Sequence, residues 1–217
     1  MFEKGAKPVE EYRTVADAAE EEFIEKRSRF IGCVRPVSSE EEAQAFIAAR
    51  KKQFWDATHN VWAYVTDGGR VRRFSDDGEP QGTAGMPTLD VLCKAGVTDC
   101  AVVVTRYFGG ILLGAGGLVR AYSHAAALAL SAGRVVRRRL CPQLSLSCSY
   151  AQYGRVAPLI ASAGGTVTDT AFTEEVTLHF WLPPEQEQPL RTALTEYSAG
   201  TLEPVLEGNA FQDFQVE

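Results

Sequence analysis

The 217-residue sequence predicts an α+β protein of two domains, divided as residues 1–136 and 137–217. Three observations carry this. In the first part, short strand-like runs alternate with well-bounded helical runs. In the second, the order of elements is a simple β-α-β-β-α-β. Between them the charge balance changes: through Leu140 there are 20 Lys+Arg against 18 Asp+Glu, and from Cys141 onward 2 against 10, so a +2 segment precedes a −8 segment within a net charge of −6. The change falls in GRVVRRRLCP, Gly133–Pro142, where a helix meets a glycine stop and Arg134, Arg137, Arg138 and Arg139 follow.

In the first domain, EEEFIEKRSRFIGCVRPV alternates as a β-hairpin does, with Lys26, Arg27 and Ser28 near its turn. SSEEEAQAFIAARKKQF is a well-signalled helix: serine at its N-cap, acids in its first turn, bases in its last. HNVWAYVT is a strand, and DGGRVRRF turns and starts another. SDDGEPQGTAG is a loop rich in turn formers. PTLDVLCKAG is a helix with proline near its start and glycine at its end. Ala101 to Thr105 is a buried strand, and Leu118 to Ser131 an alanine-rich helix.

In the second domain, LSLSCSY alternates as a strand, and AQYGRVAPLIASAG is a helix that contains Pro158. GTVTDTAFTEE and VTLHFWLPP are paired strands joined near Glu174 and Glu175. EQEQPLRTALTEYSAG is a helix, and TLEPVLEG a closing strand. This βαββαβ order is ferredoxin-like.

Composition excludes several classes. No apolar run approaches the roughly 20 residues needed to span a bilayer. The acidic N-terminal stretch lacks the apolar core of a signal peptide. The five cysteines, Cys33, Cys93, Cys100, Cys141 and Cys148, are odd in number and never form C-x-x-C. That argues against a disulfide framework or structural zinc and for reduced thiols in the cytoplasm. No cofactor or metal is expected. The acidic second domain repels polyanions on average, so any nucleic-acid contact belongs to the first.

The run from Ala101 to Leu130 carries the strongest functional signal. A buried strand, AVVVT, passes through Gly109, Gly110, Gly114, Gly116 and Gly117 into a helix. Such a turn presents backbone N–H groups at the positive end of the helix, which suits a phosphate. Arg106 and Arg120 flank it, and Arg106-Tyr107-Phe108 would add charge and stacking surface, with Arg106 expected at the surface. Gly116 is expected where a positive φ or a close backbone approach excludes side chains. The run lacks the G-K-[ST] of a P-loop and fails G-x-G-x-x-G at Val119. Helix-on-sheet packing explains the glycines equally well.

Two other segments are candidates. Asp56 precedes His59 and Asn60 at a strand start, where a carboxylate would orient an imidazole for acid–base work. The alternative is a turn cap and an edge histidine. Asp76, Asp77 and Glu79 cluster in the Ser75–Gly85 loop, as oxygens for Mg²⁺ or as a solvated turn, and Thr83 offers a free hydroxyl.

Together, Asp56-Ala-Thr-His59-Asn60, Ser75-Asp-Asp-Gly-Glu-Pro-Gln-Gly82-Thr83-Ala-Gly85 and Thr105-Arg106-Tyr107-Phe108-Gly109-Gly110 through Tyr122 resemble the Impact/YigZ family in content, order and spacing. The resemblance is strong over roughly Phe23 to Ser131. It implies an Impact-type N-terminal domain like the second domain of a small-subunit ribosomal protein, and a C-terminal ferredoxin-like domain. Eukaryotic relatives regulate translation through an additional N-terminal domain, whose partner is not carried over. Three functions follow as expectations. The first is binding of RNA or a ribosomal particle by the N-terminal domain, linked to translation. The others are an enzyme on a small phosphorylated or nucleotide substrate, and a protein–protein adaptor. In each, the site is formed by Asp56, His59, Asn60, Asp76, Asp77, Thr83, Arg106, Tyr107, Phe108, the five glycines and Arg120.

Overall fold

The computed structural model describes residues 10–216. The chain divides into two compact units, one running through Arg138 and taking back the last residues from Asp213, the other spanning Arg139–Gln212.

The first unit contains β1 (Glu11–Val15), β2 (Ala19–Glu25), β3 (Ser28–Pro36), α1 (Glu40–Gln53), β4 (His59–Thr66), β5 (Val71–Ser75), α2 (Gly85–Ala95), β6 (Cys100–Tyr107) and α3 (Ala115–Ala132). Local chemistry sets most of their boundaries. Lys26 and Arg27 both take positive φ, at 45° and 66°, in the two-residue turn that pairs Glu25 with Ser28. The Ser39 hydroxyl accepts the Glu42 N–H at the head of α1. Gly96, in the left-handed region, ends α2.

An antiparallel sheet, ordered β2-β3-β6-β4-β5, forms the middle layer. Phe30, Val61, Val102 and Val104 bury one face under α2 and α3. Cys33, Tyr64, Ala101 and Val103 bury the other under Ala43, Phe46 and Ile47 of α1. The period of two along β6 separates these sets, and it places Arg106 on the α3 side, after Val102 and Val104.

The second unit holds most of β7 (Val135–Cys148), α4 (Tyr150–Ser162), β8 (Thr166–Phe172), β9 (Val176–Trp181), α5 (Glu187–Ser198) and most of β10 (Val205–Gln215). The strand order is β10-β7-β9-β8, the arrangement expected of a βαββαβ chain. Leu144, Leu146, Leu178 and Phe180 pack against Val156 and Ile160 of α4 and Leu190 and Leu194 of α5. A reciprocal capping box between Ser149 and Gln152 starts α4. Pro158 lies within it and brings no N–H to the helical ladder.

Three elements differ from the sequence expectation. The arginine-rich stretch in which the two units divide is not a loop but the first half of β7, where Arg138 pairs with Asp213 at 2.7 Å and Arg139 with Glu185 at 2.6 Å. The closing strand begins at Val205 rather than Thr201 and runs on to Gln215, through residues that read as turn formers. Strand β1, short and polar, had no clear signal. Trypsin is therefore expected to spare Arg137, Arg138 and Arg139 in the native protein, because a paired strand does not fit a protease cleft. Rapid cleavage there under native conditions would show that β7 opens.

Candidate functional site

One end of the first unit's sheet gathers the segments singled out above. The β2–β3 turn, the start of β4, the loop after β5, the end of β6 and the start of α3 all lie there. The register pairs Arg29 with Tyr107, and His59 with Arg106. The Thr58 N–H donates to the Arg106 carbonyl at 2.9 Å, and the Phe108 N–H to the Thr58 hydroxyl at 3.0 Å.

At the centre is a buried polar cluster. Arg106 is 5% exposed, not a surface cation as expected. Its Nη1 donates to Glu79 Oε1 at 2.5 Å, and its guanidinium lies over the Phe30 ring. The reason is the alternation of β6, which turns this side chain inward beneath α3. Tyr122, fully buried on α3, donates its hydroxyl to the same Glu79 oxygen at 2.7 Å. Burial first, and the Glu79 carboxylate second, raise the Tyr122 phenol far above its ordinary range, so it remains a donor. Glu79 and Tyr122 were not in the expected site. In the sequence Glu79 reads with Asp76 and Asp77 as a loop acid, and nothing local reveals a partner 27 residues away.

The other acids organise the loop. The Asp76 carboxylate accepts from the N–H groups of Gly82, Ala84 and Gly85 at 2.8–3.0 Å. The Asp77 carboxylate accepts from the Asn60 N–H at 2.7 Å and from Lys51 Nζ at 2.5 Å. Their oxygens are committed to the protein, and no metal-holding group of His, Cys, Asp or Glu occurs among the described residues. Thr83 does not offer a free hydroxyl, because its Oγ1 donates to the Pro80 carbonyl at 2.7 Å. Asn60 is structural, donating to the Phe54 carbonyl and accepting from the Thr105 hydroxyl.

Asp56 does not orient His59. It accepts the Tyr107 hydroxyl at 2.8 Å instead. His59 is held by the Asp77 carbonyl, 2.8 Å from Nδ1. A carbonyl only accepts, so Nδ1 carries a proton, and in the neutral form of the ring the lone pair is then at Nε2. That nitrogen is 3.8 Å from Glu79 Oε1.

The glycines serve different ends. A Cβ at Gly109 would collide with the main chain of Arg27, so this residue permits a main-chain crossing. Gly110 and Gly114 have φ of +82° and +72°, and Gly114 is the N-cap of α3. Gly116 sits in the first turn of α3, where a Cβ would meet only the Arg120 Nη1 at an ordinary 3.8 Å, contrary to the expectation of crowding or positive φ. Gly117 packs against Leu113. No side chain caps α3, which begins three residues earlier than expected, so the N–H groups of Ala115, Gly116 and Gly117 form its open positive end.

Two depressions flank this end. A cleft of about 420 Å³ runs from His59, Glu79 and Arg106 past Phe108 and Leu112 to Ala115. A smaller one, about 240 Å³, is lined by Lys26, Arg120, Gly117 and His124, with Glu25 as its acid. Arg120 thus belongs to the second depression, and His124 packs edge-on against Phe23. Lys26, Arg27 and Arg120 are exposed and form no ion pair among the described residues. Phe108 and Trp55 are 45% and 82% exposed.

Residues 26–130 match the family model of the Impact N-terminal domain, and residues 146–201 that of a domain of unknown function (DUF1949). The chain is similar to the IMPACT family member YvyE of Bacillus subtilis, 40% identical over 190 residues that cover 87% of this chain and 88% of the relative. It is 35% identical to the IMPACT family member YigZ of Escherichia coli, over 82% of this chain and 89% of that protein. Protein IMPACT of Mus musculus is 35% identical over 42% of this chain and 30% of its own length. A crystal structure of a hypothetical protein aligns with a TM-score of 0.58 and 32% identity, covering 91% of this chain and 97% of that one.

Proposed function

Since the chain belongs to the IMPACT family, we propose that it binds RNA or a ribonucleoprotein, in connection with translation, through the end of the first unit's sheet where α3 begins. The observation that carries the reading is the set of exposed, unpaired cations around an uncapped helix start. Lys26 and Arg120 share a depression with Gly117, and Arg27 lies beside Gly109. A phosphate there meets both the α3 amides and cationic side chains. Exposed Phe108 and Trp55 supply faces on which unpaired bases stack. Arg106 takes no part in holding phosphate, because Glu79 already neutralises it. The link to translation rests on the family resemblance.

The test is titration of a labelled single-stranded RNA at several salt concentrations. Changing Lys26, Arg27 and Arg120 together to glutamine is expected to weaken binding. It should also make the slope of log K against log salt shallower by about 2, at about 0.7 per lost phosphate contact. An unchanged slope in a folded triple variant would remove this face from the interface.

A further inference from the structure

We infer that the cleft between the Asp76–Thr83 loop and the Phe108–Ala115 segment is a pocket for a guanine base. The inference deepens the RNA-binding reading and rests on it only where the base belongs to an RNA chain. Its sides are apolar and one is aromatic: Phe108, Leu112, Leu113 and Pro80. Its volume of about 420 Å³ accommodates a base with part of its sugar. The Phe108 ring covers the Arg106 guanidinium on one side, 5.5 Å from the ring centroid, and remains 45% exposed.

The inner end of the cleft sets acceptors beside the Arg106 guanidinium, whose Nη1 is committed to Glu79 and whose Nε has no partner. Glu79, 8% exposed, lines it and receives both Arg106 and Tyr122 on Oε1. Oε2 has no donor among the described residues and is not sealed from solvent, so it is free to accept a ligand N–H. His59 lines the same wall, and with Nδ1–H committed to the Asp77 carbonyl its neutral form offers Nε2 as an acceptor. Paired with a guanidinium, Glu79 only accepts. Two acceptors side by side call for adjacent donors on one edge of a flat ring. Among the common bases, only guanine has them, at N1–H and the N2 amino group. Adenine and cytosine each set a ring acceptor beside their amino group, and uracil flanks one N–H with two carbonyls. A further match is Thr58. Its oxygen accepts the Phe108 N–H, leaving its own proton for the guanine O6.

The experiment uses the full chain and uridine decamers carrying one central guanosine, adenosine or inosine, with GMP and AMP as free nucleotides. The guanosine decamer is expected to bind about tenfold or more tightly than the adenosine decamer, the discrimination of one bidentate base contact. Inosine, which lacks the N2 amino group, should lose much of that advantage, and this arm needs no change to the protein. Phe108→Ala, a half-exposed position, should weaken the guanosine decamer about tenfold without moving the thermal melt. Guanine preference in the decamers supports a base held within RNA. Preference for GMP over AMP without decamer binding supports the pocket with a free nucleotide as its source, and sinks the RNA reading. Equal binding of all decamers overturns the pocket and leaves the RNA reading standing. No binding of any probe overturns both.

Discussion

Replacing Arg106 with alanine is expected to destabilise the protein by about 3–5 kcal/mol, the usual cost of breaking a buried ion pair by removing one partner. The side chains of Arg106 and Glu79 are 6% and 4% exposed. Alanine therefore leaves a carboxylate in the core with only the Tyr122 hydroxyl to satisfy it. Urea unfolding of wild type and variant measures the loss. Removing both charges, as Arg106→Met with Glu79→Leu, should restore most of the stability, because a buried pair replaced by apolar residues of similar size is often neutral or better. An Arg106→Ala protein as stable as wild type would mean that the pair contributes nothing and that Glu79 finds water or another donor.

The glycines should split sharply. Gly109→Val is expected to cost about 3 kcal/mol or more, beyond the ordinary overpacking range, because the obstacle is the main chain of Arg27 and cannot swing aside. Gly116→Ala should be neutral or stabilise by up to about 1 kcal/mol, since it adds a helix former whose Cβ meets only the flexible Arg120 side chain at ordinary contact distance. Thermal melts of the two variants decide the matter. A tolerated Gly109→Val would show that the Arg27 turn yields, and a damaging Gly116→Ala would point to crowding at the start of α3. The contrast also separates packing from binding, because only Gly116, in the open first turn of α3, leaves room for a ligand to approach its amide.

What the sequence determined by itself was whatever a few neighbouring residues settle. Ser39 capping α1, Gly96 ending α2 and the alternation of β3 and β6 are local matters of main-chain geometry and burial period. The βαββαβ order of the second unit was legible for the same reason. The full lengths of β7 and β10 were not, because strand pairing overrode arginines, a proline, and the Gly208-Asn209 pair that reads as turn chemistry. The site followed the same division. Its segments could be picked out from their residues, but the role of each charge could not. Arg106 reads as a surface cation until α3 covers it. Glu79 reads as a solvated acid until its loop folds over His59, and Asp56 leaves that histidine for Tyr107. These outcomes depend on which groups the tertiary fold removes from water. A buried charge must find its counter-charge wherever packing brings one, and here that partner lies far away along the chain.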